Sequence, residues 1–211
     1  MSFSPVLVIV PREWADLPPL PGRLKDRPED FCVEEVLGRT PAGHGSHVWV
    51  EVEKTGLSMD QLVRELCGAL GLHPAHVGHA GLKDRHAVTR QTLSLPAWAG
   101  ERLGELRLEG VRILGWRQHP GALHPGQLDG NHFTILLRGD NGHRLGEAEA
   151  WCRRLSGLGA ANAFGPQRFG RDLETLRAGL AMLRGEPDTG RMGAAAPGLA
   201  LSAAQGHLFN R

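Results

Sequence analysis

The chain has 211 residues, 41% hydrophobic and 22% charged, with a formal net charge of +1, enough length for one large domain with a real core, or for one domain and part of another. Cys32, Cys67 and Cys152 are odd in number and share no C-x-x-C spacing, which argues against a disulfide framework or a cysteine-based zinc site and fits a reducing cytoplasm. No stretch approaches the length of a membrane helix, and a near-neutral average says nothing about a polyanionic partner, whose site needs only a local basic patch.

Residues 1–22 hold one short apolar strand, Val6 to Val10, and a proline-rich extended connector. Lys25 then precedes the turn-forming cluster Asp26-Arg27-Pro28-Glu29-Asp30, after which Phe31, Val33, Glu34 and Glu35 read as a strand. From His47 to Lys54, Val48, Val50 and Val52 alternate with Trp49, Glu51 and Glu53, the pattern of a half-buried strand. Ser58 and Gln61 form a capping box that starts a helix, and Gly71 stops it. Leu62, Val63, Leu66, Ala69 and Leu70 make its apolar stripe.

The stretch Gly78 to Leu95 combines a chain reversal, clustered charge and a return strand. Gly78 and Gly81 suit backbone angles or close approaches that a side chain forbids. Between them and the strand Val88 to Leu95 lies Lys83-Asp84-Arg85-His86. A lone acid flanked by bases favours its charged form, which suits a nucleophile or base; a solvated hairpin tip is the plainer alternative. Thr89, Gln91 and Leu93 share one face of the strand, and Arg90, Thr92 and Ser94 the other.

A poorly patterned passage over 98–110 leads to a strand over Val111 to Trp116 and a glycine-rich loop. A further strand, His132 to Arg138, points Asn131, Phe133, Ile135 and Leu137 one way. A helix over 144–158 follows, with Leu145, Ala148, Cys152 and Leu155 on its apolar face. The loop Asn162 to Arg171 carries Phe164, Gln167, Arg168 and Phe169; exposed aromatics beside arginines match what unstacked bases require, and a structural brace is the alternative. Asp172 is placed to cap a helix from Leu173 to Leu183, a Gly- and Ala-rich linker fills 185–198, and a last helix begins near Leu199. Strands unevenly separated by helices, without a regular βαβ cadence, predict an α+β fold: a mixed, largely antiparallel sheet with flanking helices. His73, His76 and His79 lack a metal-ligand spacing, and no P-loop, G-x-G-x-x-G or G-x-S-x-G occurs where a nucleotide cofactor or serine hydrolysis needs it.

Taken in order, five segments resemble the TruD family of tRNA pseudouridine synthases. They are Leu24-Lys25 with Pro28 to Glu35, Ala80 to Gln91, Gly130 to Phe133, Asn162 with Phe164-Gly165 and Gln167 to Gly170, and Leu201 to Ala204 with Leu208 to Asn210. The resemblance implies a cofactor-independent isomerase that detaches uracil 13 of tRNA from its ribose, turns it and rejoins it through carbon, with tRNA as partner. It implies Asp84 as the catalytic aspartate, Lys25 as its basic partner and Phe133 as the ring that stacks on the target base, with Asn131 beside it. Lys83, Arg168 and Arg171 are then candidates for phosphate, and Phe164, Gln167 and Phe169 for RNA contact. Ala163 stands where family members usually carry an aromatic residue.

Family members continue past Leu208-Phe209-Asn210, complete an inserted domain and return to the catalytic sheet. The resemblance therefore implies a connector over 1–22, a catalytic core over 23–158 and the beginning of the inserted domain over 159–211. It leaves two functional readings, a pseudouridine synthase and a catalytically incomplete tRNA-binding fragment of the same family. A metal-dependent hydrolase built on Asp84 and nearby histidines is a third reading, of another class.

Overall fold

The computed structural model describes residues 21–139, 142–159, 162–186 and 197–210. They fall into two units, one over 21–143 and one from 144 onward. The strand expected over 6–10 and most of the linker expected over 185–198 lie outside the described residues.

In the first unit the chain forms β1 (Phe31–Val36), β2 (His47–Thr55), α1 (Met59–Leu70), β3 (Gly78–His79), β4 (Val88–Pro96), the short α2 (Gly100–Leu103), β5 (Val111–His119) and β6 (Gly130–Ile135). The sheet runs β5-β2-β4-β1-β6, with β3 paired to β4. It is mixed, because β1 lies parallel to β4 while β1–β6, β2–β4, β2–β5 and β3–β4 are antiparallel. This is the α+β architecture expected of the chain.

Sequence chemistry accounts for the main boundaries. Ser58 Oγ accepts from the Gln61 amide and Gln61 Oε1 from the Ser58 amide, at 3.2 and 2.9 Å, so two otherwise orphaned donors are satisfied as α1 begins. Gly71 ends it with φ +70°, a left-handed angle that glycine adopts without a Cβ penalty. Leu62, Leu66 and Leu70 pack on Val48, Val50, Val52, Leu93 and Leu95, each buried side chain contributing about 1.5–3 kcal/mol by its removal from water. Gly78 is required for a different reason. A Cβ there would lie 2.4 Å from Leu123 O and from Ser94 Oγ, so β3 and the 120–123 loop approach too closely for any side chain. Gly81 shows neither constraint, since its Cβ would meet only ordinary contacts.

Some boundaries move. The passage over 98–110 includes a 3-10 turn at Ala97–Ala99 and α2, β5 runs on to His119, and β6 covers Gly130–Ile135. Among the described residues beyond β6, a bridge joins Arg138 to Arg23. Asp30 reinforces it. Arg138 donates to both Asp30 oxygens at 2.7 Å, and Asp30 O accepts from the Leu136 amide at 2.8 Å. The segment before β1 is thus fastened to the end of β6.

The second unit contains α3 (Leu145–Leu158), α4 (Glu174–Leu183) and α5 (Pro197–Phe209). Phe169, Leu176, Ala203 and Ala204 form its buried cluster. Two expectations change here. The helix over 145–158 groups with this unit, and none of its side chains is buried: Leu145, Cys152 and Leu155 of the expected apolar stripe are exposed. Asp172 does not cap α4 either. Asp172 and Leu173 both adopt left-handed angles, φ +51° and +62°, within a 3-10 turn, so the α4 N-cap is Leu173 and no side chain caps it.

Candidate active site

Parallel pairing of β1 with β4 explains how distant residues meet. Lys25 lies before β1 and Asp84 before β4, and parallel neighbours begin at the same end of a sheet. Lys25 Nζ stands 3.3 Å from Asp84 Oδ1, with both side chains partly exposed at 33% and 41%. So open a pair contributes little to stability, about 0–1 kcal/mol, and what it does is place an ammonium against one oxygen of a surface carboxylate. Lys25 Nζ also lies 3.7 Å from the centroid of the Phe31 ring, a cation–π contact. Phe31 in turn meets Phe133 edge-on, centroids 5.8 Å apart.

Phe133 sits opposite Val33 in the antiparallel β1–β6 pair, and Asn131 opposite Glu35. Period two places Asn131 and Phe133 on one face. Phe133 is 55% exposed, an unusual state for a strand phenylalanine and one that leaves its ring open to a flat ligand. Behind Lys25, His86 Nε2 lies 2.7 Å from the Lys25 carbonyl. A carbonyl only accepts, so that nitrogen carries the hydrogen. The Lys25 backbone itself is left-handed, φ +58°.

Lys83 is not where its charge alone would put it. Expected to face phosphate, its ammonium instead forms an ion pair with Glu35 Oε2 at 2.5 Å, the two side chains 4% and 2% exposed. Glu35 Oε1 also accepts from the Thr92 amide at 3.1 Å. A buried ammonium needs a partner, and Glu35 meets that need inside the fold.

Two residues at this site went unassigned by sequence. Phe31 starts a strand and belongs to the family-like segment Pro28 to Glu35, with no role of its own in the sequence reading, although its ring links Lys25 to Phe133. Lys54 is fully buried, and its ammonium donates to Leu57 O at 2.8 Å and to Asp84 O at 2.7 Å. Burial pushes that ammonium down to about 8 against the favourable charge of Asp84, with Lys83 adding to the depression. The signal was available: Lys54 continues the interior face of Val48, Val50 and Val52.

The second unit holds the other expected contacts. Phe169 is fully buried in the cluster with Leu176, Ala203 and Ala204, so its ring is part of the packing and is closed to a base. Arg168 donates to Ser202 Oγ, and its guanidinium lies 5.1 Å from the centroid of the Phe164 ring. Phe164 is 38% exposed, meets Phe209 edge-on at 5.7 Å, and exchanges two 2.8 Å backbone hydrogen bonds with the Asn210 amide group. Gln167 and Arg171 are exposed. The loop therefore braces its own unit through Phe169, Arg168 and Phe164 and presents Gln167 and one face of Phe164 outward. Among the described residues, no group of three or more His, Cys, Asp or Glu side chains is placed to hold a metal ion, and no helix is long and apolar enough to cross a membrane.

Fold and site together define a mixed-sheet unit that offers a carboxylate paired with Lys25 and an exposed aromatic ring connected to that lysine through Phe31. A sequence model of tRNA pseudouridine synthase D (TruD) matches residues 13–192. The tRNA pseudouridine synthase D of Anaeromyxobacter sp. (strain Fw109-5) is 40% identical over 205 residues, covering 95% of this chain and 58% of the relative. That of Methylococcus capsulatus is 39% identical over 197 residues, covering 90% and 53%. A crystal structure described as tRNA pseudouridine synthase D from Methanosarcina mazei superposes with a TM-score of 0.68 at 26% identity, covering 81% of this chain and 40% of that one. The chain belongs to the tRNA pseudouridine synthase D family. It spans somewhat over half the length of the curated relatives it matches.

Proposed function

We propose that the first unit carries the catalytic core of a tRNA pseudouridine synthase acting on uridine 13, and that the second, from 144 onward, begins the inserted domain. The observation that carries this reading is the Lys25–Asp84 pair at 3.3 Å, linked through Phe31 to the exposed Phe133. In the reaction the bond from C1′ of the ribose to N1 of uracil breaks, the base turns, and C1′ bonds to C5, which gives up its proton while N1 gains one. Asp84 acts at the sugar as nucleophile or base, with Lys25 paired to one of its carboxylate oxygens. Phe133 receives the turned-out base. Unstacking it costs a few kcal/mol, of which an aromatic face returns about 1–3 kcal/mol, and Asn131 hydrogen-bonds beside it. Gln167, Phe164 and Arg171 contact RNA, and Arg168 orients Phe164. No cofactor enters the reaction, which is an isomerisation without net redox change. A tRNA-modifying role fits a cytoplasmic protein.

The test is incubation with unmodified tRNA followed by pseudouridine mapping. Product at position 13 that disappears in Asp84→Asn is expected, and product surviving that substitution overturns the assignment. A second reading, a tRNA-binding piece without a complete site, is favoured by the exposed Ile135 and Leu136 at the β6 end. It predicts salt-sensitive tRNA binding with no pseudouridine formed.

A further inference from the structure

Lys54 is the largest fully buried polar side chain described, and nothing about strand formation asks for it. Valine occupies the preceding interior positions of β2, and a methionine or leucine would continue them without desolvating a charge. Both partners of the ammonium are backbone carbonyls, those of Leu57 and Asp84. Partial charges of that kind compensate a buried cation less well than a carboxylate does, which agrees with the lowered proton affinity of the group. The retained charge therefore has to act on something nearby. Asp84 and Lys83 are the charged groups that face it from the turn, while β4 and β5 present the uncharged Thr89 and Val111 at its register.

We propose that Lys54 is the positioning residue of the Asp84 turn: its buried ammonium fixes the Asp84 backbone from within the fold while Lys25 meets the carboxylate at the surface. Two cations thus address one residue through different atoms. Lys25 takes the carboxylate oxygen and Lys54 the main-chain oxygen, so the carboxylate keeps a free edge for the substrate. Main-chain bonds flank the turn, Gly126 N to Ala80 O and Gly56 N to Ala87 O, and the side chains of Lys83, Arg85 and His86 hold it at Glu35, Gly56 O and Lys25 O; Lys54 is the side chain that reaches the Asp84 main-chain oxygen itself. The assignment of a catalytic consequence rests on Asp84 acting as proposed above.

The structural arm of the test compares wild type with Lys54→Met by backbone relaxation. Amide order parameters of residues 84–86 are expected near 0.85 in wild type and below about 0.6 in the variant, with β2 and β4 unchanged. Equal values in the turn overturn the proposal. Where Lys54→Met does not fold, a pH titration of wild type decides: the amide shifts of residues 83–86 follow the Lys54 Nζ titration near pH 8, and turn amides indifferent to it overturn the proposal. The catalytic arm measures pseudouridine formation on unmodified tRNA. In Lys54→Met kcat falls about 10–100-fold while tRNA affinity stays within about twofold, a split that general destabilisation does not produce; an unchanged kcat refutes it. If wild type itself forms no pseudouridine, the functional reading of Asp84 fails, and the relaxation arm still decides the role of Lys54.

Discussion

Replacing Lys83 by methionine tests whether its charge belongs to the fold or to the RNA. Lys83 and Glu35 are both almost fully enclosed, at 4% and 2% exposure, so Lys83→Met strands a carboxylate whose remaining partner is the Thr92 amide at 3.1 Å. Breaking a buried pair in this way costs about 3–5 kcal/mol, a large part of a stability that is only about 5–15 kcal/mol for a typical domain. Adding Glu35→Leu removes the stranded charge but orphans the Thr92 N–H, which costs about 1–3 kcal/mol. The double variant is therefore expected to be more stable than Lys83→Met, though below wild type. Native-state hydrogen exchange in urea is the suitable assay, because it reads β1 and β4 amides separately from the second unit and does not assume one global transition. A loss below about 1 kcal/mol in Lys83→Met, together with a tRNA-binding salt slope reduced by about one, would refute the buried pair and return Lys83 to the phosphate role its position in the turn first suggested.

Phe133→Ala should weaken tRNA binding by about 1–3 kcal/mol through lost stacking with little change in the urea midpoint, since the ring is 55% exposed; equal affinity in a filter-binding titration counts against stacking. Phe169→Ala should behave oppositely, destabilising the second unit by about 3–5 kcal/mol, as read by proteolysis or hydrogen exchange of α4 and α5. The Arg138 guanidinium holds the Asp30 carboxyl below its usual range, so its contribution to stability is present above pH 3.8, its unfolded value, and is lost as pH falls through the folded one. Asp30→Asn is accordingly less stable than wild type near neutrality, and the two acid-unfolding curves converge at low pH. Gly78→Ala, whose Cβ would press on Leu123 O and Ser94 Oγ, should cost about 1–3 kcal/mol, measured by thermal or urea unfolding.

What could be read in advance was local. Ser58, Gln61 and Gly71 bound α1 because caps satisfy backbone groups within a turn of themselves, and the alternation of Val48, Val50 and Val52 fixed the interior face of β2 without reference to the rest of the chain. The parallel meeting of β1 with β4 has no comparable local mark, since it is settled by pairing across the intervening β2 and α1. Residue type also proved a poor guide to direction. Lys83 and Phe169 carry the chemistry expected of an RNA contact, yet one is enclosed with Glu35 and the other in the α4–α5 cluster. Lys54 shows the converse. Its interior position followed from period two, but a lysine near a strand end is ordinarily solvated, and only the carbonyls of Leu57 and Asp84 reveal why this one is not. Asp172 failed as a cap because the two left-handed residues before α4 direct the chain differently from an ordinary helix start.

The left-handed backbone at Lys25 bears on how folding and chemistry share this chain. For a residue with a Cβ that conformation costs about 1–2 kcal/mol; the chain places glycine at comparable angles at Gly38 and Gly71, and side-chain-bearing residues at Asp172 and Leu173. Selection for folding alone would favour glycine at 25 as well. The chain instead holds a lysine there, with the His86 ring on its carbonyl and the Arg23–Arg138 bridge two residues upstream. In the reaction proposed above, a backbone set during folding would start the Lys25 side chain toward Asp84, and that part of its ordering would not count against the binding of RNA.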